Sequence, residues 1–187
     1  RTGQLLNMNN LSVEVGIDSK TVASWLSVLE SSFIVFRLKP HHQNFNKRLV
    51  KMPKLFFHDT GLACALLGIR DVNTLKLHPL RGALFENFII SEIQKFNLHN
   101  GRHTELFFWR DSRGNEVDLL IEENGKLLPI EIKSGMTVQP SFFSGLEYWN
   151  KLSGGHEARL IYGGNQLQKR SNGITLLPWN EIHSGHL

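Results

Sequence analysis

Residues 105–133 read ELFFWRDSRGNEVDLLIEENGKLLPIEIK, and this stretch decides the fold. It contains three strand-like runs: Glu105 to Arg110, Glu116 to Ile121 and Leu127 to Lys133. Gly114 and Asn115 turn the chain between the first two. Asn124-Gly125 is a strong hairpin turn between the second and third, because its central positions need positive φ. Side chains alternate along a strand. Val117, Leu119 and Ile121 then point one way, and Asp118 and Leu120 the other. Ile130 and Ile132 share one face of the third strand, and Glu131 and Lys133 share the opposite one. The Cα atoms of Glu131 and Lys133 should lie about 6.6 Å apart, two strand residues. Pairing through the hairpin brings Asp118 to the same side.

Spacing alone leaves two readings of that cluster open. One is a salt-bridge cluster on a sheet face. The other is a cation site: Mg²⁺ takes one or two carboxylates, waters and substrate phosphate. Asp118 and Glu131 would supply the carboxylates and the Ile132 carbonyl a third ligand. Lys133 would orient or deprotonate a water, or offset charge developing on phosphorus. Upstream, a helix around Leu84 to Phe96 puts Phe85, Phe88, Ile89, Ile93 and Phe96 on one face, with Glu86 and Glu92 near its edge. Downstream, Phe142, Phe143, Leu146 and Trp149 form a helical packing stripe. Ala158 to Tyr162 and Ile174 to Leu177 read as closing strands.

The first half has a different texture. Leu11 to Ile17 is a short helical stretch closed by Gly16. Asp18 or Ser19 caps a second helix carrying Val22, Trp25, Leu26 and Leu29 on one face. Two short helices joined by a turn with Gly suggest a helix-turn-helix. Phe33 to Leu38 and Leu49 to His58 follow as strands around a basic loop, His41 to Lys51, and Asp59 starts a helix through Leu62 and Cys64 to Gly68. Together these resemble a winged helix. The expected organisation is a winged-helix-like module over residues 1–75 and a second domain over residues 76–187. Nucleic acid, if bound, should meet Lys39, Lys47, Arg48, Lys51 and Arg110. Arg110 has a second reading, as a partner of Asp111 or Glu116.

Composition narrows the classes. The 187 residues are 41% hydrophobic and 20% charged, enough for a core and against general disorder. The formal charge of +4 allows a nucleic-acid partner without arguing for one. No apolar run is long enough to span a bilayer and no secretory signal is visible, so a cytoplasmic location is expected. Cys64 is the only cysteine, which excludes an internal disulfide and a Cys-rich zinc site. Its apolar neighbours read it as a buried structural thiol. His41-His42, His99 with His103, and His183 with His186 lack partners at ligand spacing. The chain starts at Arg1 rather than Met and reads as a fragment.

The order helix with Glu, strand, strand with Asp, strand with Glu-x-Lys, helix, strand resembles the PD-(D/E)XK nuclease-like core. The local sequences narrow the resemblance. Arg81-Gly82-Ala83-Leu84-Phe85-Glu86-Asn87-Phe88, Phe108-Trp109-Arg110, Asn115-Glu116-Val117-Asp118 and Pro129-Ile130-Glu131-Ile132-Lys133-Ser134 look like the C-terminal region of a large prokaryotic AAA+ ATPase family, domain of unknown function 4143. Phe57-His58-Asp59-Thr60-Gly61-Leu62 resembles a further family signature. The resemblance implies an α/β (α+β) fold, with an αβββαβ core and a mixed sheet behind the winged-helix-like segment. It matches Glu86 to the helix acid, Asp118 to the metal-binding Asp, and Glu131 and Lys133 to the Glu-x-Lys pair, with Mg²⁺ or Mn²⁺ as cofactor. It also implies an N-terminal AAA+ ATPase module as partner, with oligomers formed through it. No Gly-x-x-x-x-Gly-Lys-Ser/Thr loop occurs, so this chain carries no ATP site of that kind. Two functions follow as expectations: a metal-dependent nuclease on DNA or RNA, or a non-catalytic nucleic-acid-binding or docking module.

Overall fold

Local capping sets the first elements. In the computed structural model, which describes residues 1–184, Asn7 accepts hydrogen bonds from the Asn9 and Asn10 amides and opens α1, Met8–Val15. The helix therefore starts earlier than its apolar periodicity indicates. Gly16, at φ +75°, closes it in the left-handed conformation that glycine adopts without penalty. Asp18 caps α2, Ser19–Ser31, through the Lys20 and Thr21 amides. Val22 and Leu26 are its buried residues, packing with Leu6, Val35 and Leu55. Trp25, expected on the packed face, is 57% exposed. The small cluster beneath α2 takes Val22 and Leu26, with Met8, Leu11 and Leu29 packed at its margin.

The hairpin is shorter than its apolar runs. It comprises β1, Val35–Pro40, and β2, Lys54–Phe57, antiparallel from Val35↔Phe57 to Leu38↔Lys54. Residues 41–53 form the intervening loop. Leu49 does not extend the hairpin. It bridges Asp111 instead, and the Val50 amide donates to the Arg110 carbonyl at 3.0 Å. Residues 3–6 run along the outer side of β2, where the Leu6 amide donates to the Pro53 carbonyl at 2.7 Å, covering that edge.

Asp59 caps α3, Thr60–Leu66, and Asp71 caps α4, Val72–Leu77. The second is a helix at the expected boundary near residue 75, ending just before Pro79. Both pack on the start of α5, Arg81–His99, around Ala63, Ile69 and Leu84. The remaining elements are β3, Glu105–Arg110, β4, Glu116–Glu123, β5, Lys126–Lys133, a 3-10 turn at Pro140–Phe143, α6, Ser144–Ser153, β6, Ala158–Tyr162, β7, Gln168–Lys169, and β8, Ile174–Pro178. The expected pairing of 116–121 with 127–133 is present, antiparallel through Asn124 (φ +52°) and Gly125 (φ +74°).

Among the described residues all eight strands join one mixed sheet, in the order β2-β1-β3-β4-β5-β6-β8-β7. β1 runs parallel to β3, with Lys39 opposite Phe107 and Pro40 opposite Phe108. The two expected modules therefore share a sheet across the seam near residue 75. One face is covered by α5, whose Ile89, Ile90 and Ile93 pack on Phe108, Leu119, Ile130 and Ile132. The other is covered by α6, whose Leu146 and Trp149 pack on Trp109, Leu120 and Leu160. Each fully buried aliphatic side chain of this kind contributes roughly 1.5–3 kcal/mol. Among the described residues, no helix is long and apolar enough to cross a membrane.

Candidate functional site

The site forms where β4 and β5 part. Their pairing runs from Glu123↔Lys126 to Leu119↔Ile130 and stops there. On the other side of β4 the register with β3 slips between Phe107↔Leu120 and Trp109↔Val117, a bulge that spans Asp118. A bulge frees a residue from the ladder and re-aims its side chain. It also breaks the expected alternation: Val117 packs with Leu120, on the face opposite Leu119 and Ile121. The Asp118 carboxylate takes over the missing ladder bond, its Oδ2 accepting from the Ile132 amide at 2.9 Å.

Beside Asp118, Lys133 Nζ lies 2.5 Å from Glu131 Oε1 and 3.7 Å from Asp118 Oδ2. Glu131 is buried, and its Oε2 makes no hydrogen bond within the described chain. Gly145, in the first turn of α6, abuts this carboxyl. A Cβ there would sit 2.5 Å from the Glu116 carbonyl oxygen and 2.8 Å from Glu131 Oε2, so only glycine allows the helix so close. Burial, and after it the Asp118 charge, pushes the Glu131 carboxyl up to about 8 against the pull of Lys133. Burial also works against the Lys133 ammonium, but Asp118 and Glu131 outweigh it and raise its pKa. At neutral pH Lys133 is thus a cation suited to offsetting negative charge, not a base.

Glu86 reaches the site from α5. Its Oε1 accepts from Lys54 Nζ at 2.8 Å, and the same ammonium pairs with Glu116 Oε1. Lys54 is only 3% exposed and lies over the Phe108 ring, 5.4 Å from its centroid. Burial disfavours this ammonium, yet Glu86, Asp118 and Glu116 together hold its pKa above the ordinary lysine range. Burial pushes Glu86 up to about 7, with Lys54 opposing and Asp118 adding to the rise. Glu92, the other candidate on this helix, pairs instead with Lys95 and with His183 at 3.8 Å. Lys54 was missed in the sequence, and Glu116 was read there only as one of two partners for Arg110. A lone lysine between Pro53 and an apolar run was the available signal.

The expected nucleic-acid contacts divide. Lys47, Arg48 and Lys51 line one groove of about 830 Å³ with His41, His42 and Asn44. The loop is fixed there by Trp109 Nε1, which donates to the Gln43 carbonyl at 2.8 Å, and by the Ser112 amide, which donates to the Arg48 carbonyl at 2.7 Å. Lys39 is not part of this groove. It lines another, with Arg37 and Arg102, further back along β1. Arg110 pairs with Glu116 at 2.9 Å, the partner that one of its two readings names. Asp111 is occupied elsewhere, accepting from the Arg113 and Asn115 amides, Asn115 Nδ2 and Tyr148 Oη.

Other motif residues have structural roles. Arg81 Nη2 donates to the Ser134 carbonyl at 2.7 Å, tying the start of α5 to the end of β5. Buried Asn87 accepts from the Phe57 amide and donates to its carbonyl, pairing like a short strand at the end of β2. Cys64 is half-buried, and burial raises its pKa. Gln139 precedes the 3-10 turn without a side-chain cap. His186 lies outside the described residues.

Among the described residues no three His, Cys, Asp or Glu side chains group as a metal cage. Asp118 and Glu131 offer two carboxylates, and Glu131 Oε2 is a buried oxygen without a hydrogen-bond partner. Two carboxylates suit a hydrated Mg²⁺ or Mn²⁺ rather than a dehydrated one.

The fold and site define a class: a mixed-sheet α+β protein with carboxylates and lysines gathered where two central strands separate. Residues 81–182 match the family described as Domain of unknown function (DUF4143), and the chain belongs to it. Residues 1–73 match Domain of unknown function (DUF8612). The chain is similar to the uncharacterized protein Rv2008c of Mycobacterium tuberculosis and the uncharacterized protein Mb2031c of Mycobacterium bovis. Each is 32% identical over 135 residues, 72% of this chain and 30% of the relative. The chain thus matches less than a third of the length of these relatives. No solved structure matches.

Proposed function

We propose that the site is a PD-(D/E)XK-type phosphodiester-cleaving centre acting on DNA or RNA, in the C-terminal region of an AAA+ ATPase. The observation that carries this reading is the meeting of Asp118, Glu131 and Lys133 at the parting of β4 and β5, with Glu131 Oε2 left unpartnered. Asp118 and Glu131 would hold Mg²⁺ or Mn²⁺, with the Ile132 carbonyl as the further ligand. A bound divalent ion supplies Lewis acidity and a more acidic water. The Lys133 ammonium offsets charge building on the phosphoryl oxygens. Lys47, Arg48 and Lys51 neutralise backbone phosphates, and the winged-helix-like segment holds the strand.

Cleavage of labelled single- and double-stranded DNA and RNA, with Mg²⁺ or Mn²⁺, tests this. We expect Asp118→Ala to abolish cleavage, and Lys133→Ala to keep the metal but lose rate. Activity surviving Asp118→Ala rejects the site.

A second reading is a non-catalytic docking module of the ATPase. It is favoured by the helix pair, where Val13, Val15, Trp25 and Val28 are exposed and Lys20 is the single basic residue of α2. Absence of cleavage with the ATPase module attached supports it.

A further inference from the structure

Lys54 comes from a different segment of the chain than the residues it serves. It sits on β2, at the edge of the sheet, and reaches Glu86 on α5 and Glu116 on β4. Its ammonium is enclosed: Phe108 lies beneath it, two carboxylates flank it, and it is almost fully buried. A buried ammonium between carboxylates needs nearly the surroundings of a bound cation, because both require desolvation to be offset by close negative oxygens. Metal-dependent phosphodiesterases divide by how many divalent ions share the acid cluster, and two-ion sites hold them about 3.5–4 Å apart. Here the four acids fall into two pairs. Glu86 and Glu116 converge on Lys54. Asp118 and Glu131 converge on Lys133, and this pair holds the orphaned oxygen.

We propose that Lys54 is a positioning residue that occupies the second cation place of the acid cluster, so that the site takes one divalent ion, at Asp118 and Glu131, and not two. The proposal rests on the metal-binding reading above and deepens it. A lysine of the 1–73 segment then completes a site whose acids all belong to the 81–182 segment. Glu86 and Glu116 act through Lys54 and are not metal ligands in the unaltered protein.

The test is Mn²⁺ stoichiometry, by titration calorimetry and by electron paramagnetic resonance of free Mn²⁺, on protein with this chain intact. We expect one ion in wild type. Lys54→Gln should bind two, because Glu86 Oε1 and Glu116 Oε1 lose their ammonium while Arg110 keeps only Glu116 Oε2, and Mn²⁺ should raise its melting temperature more than that of wild type. Lys54→Arg, which keeps the cation, should return to one. Two ions in wild type, or one in both wild type and Lys54→Gln, overturns the proposal while leaving the metal-binding reading standing. No ion in wild type overturns both. Should Lys54→Gln fail to fold, Mn²⁺-soaked wild-type crystals decide. Anomalous density at Asp118 and Glu131 alone supports the proposal, and density between Glu86 and Glu116 overturns it.

Discussion

The two halves of the acid cluster meet the same electrostatic problem differently. Around Lys54, a fully enclosed ammonium reached from β2 compensates Glu86 and Glu116. Around Lys133, a one-third-exposed ammonium shares two carboxylates, and one Glu131 oxygen stays unpartnered. The first half is closed around its ammonium, and the second leaves one carboxylate oxygen without a partner. Sites that do chemistry keep charge incompletely matched, whereas buried pairs satisfied on all sides act as scaffold.

The largest test of this contrast is Lys54→Met. It removes the buried partner of Glu86 and leaves Glu116 to Arg110 alone, and loss of one partner of a buried pair costs about 3–5 kcal/mol. Lys133→Met, at a more exposed and less complete pair, should cost less than half as much in denaturant unfolding. Equal costs would erase the distinction between the halves.

Asp118→Ala should cost ~1–3 kcal/mol, because the Ile132 amide loses its acceptor in a buried place. Asp118→Asn keeps an acceptor and should cost less than about 1 kcal/mol while still losing the charge. A stability difference between them, with both inactive, separates the structural role of Asp118 from its chemical one.

The pH dependence sharpens the comparison further. Glu131 rises in the fold from an ordinary 4.5 to about 8, and Glu86 from 4.5 to about 7. The folded state then binds more protons than the unfolded state over that window. Stability in metal-free buffer should therefore fall as pH rises from about 4.5 to about 8. Glu131→Gln should flatten the fall by ~1–2 kcal/mol. A variant curve parallel to wild type would show that Glu131 is not the group responsible.

The smallest effect on stability belongs to the loop. Changing Lys47, Arg48 and Lys51 to Gln should alter unfolding by less than about 0.5 kcal/mol, as exposed sites do. The salt slope of duplex DNA binding should fall by about 0.9 for each phosphate that the loop no longer neutralises. Lys39→Gln, in its separate groove, should leave that slope unchanged, and a slope that falls equally would rejoin Lys39 to the binding surface.

Much of the site was legible because its elements are local. Alternation and Asn124-Gly125 together specify the pairing of β4 with β5, and the Glu-x-Lys spacing brings Glu131 and Lys133 together. Helical spacing left Glu86 and Glu92 equivalent, and packing chose between them. The Asp118 bulge was not legible, since it arises from mismatch between β3 and β4 and from no residue of its own. Nor was α4, whose Asp71 cap outweighs the polar look of the segment.

Short-range physics thus settled the central strands, the hairpin turn and most caps, because these depend on neighbours within a few residues, but it misplaced the faces of Trp25 and Val117. Long-range contact settled the rest. β1 took β3 as a parallel partner from far along the chain, through Lys39↔Phe107 and Pro40↔Phe108. That choice carried β2 and Lys54 into reach of Glu86 and Glu116. Each of those residues, read locally, is an ordinary charged side chain on a strand or helix. Only burial by distant segments turned them into a closed ion cluster, because desolvation and Coulomb attraction depend on who is near in space and not on who is near in sequence.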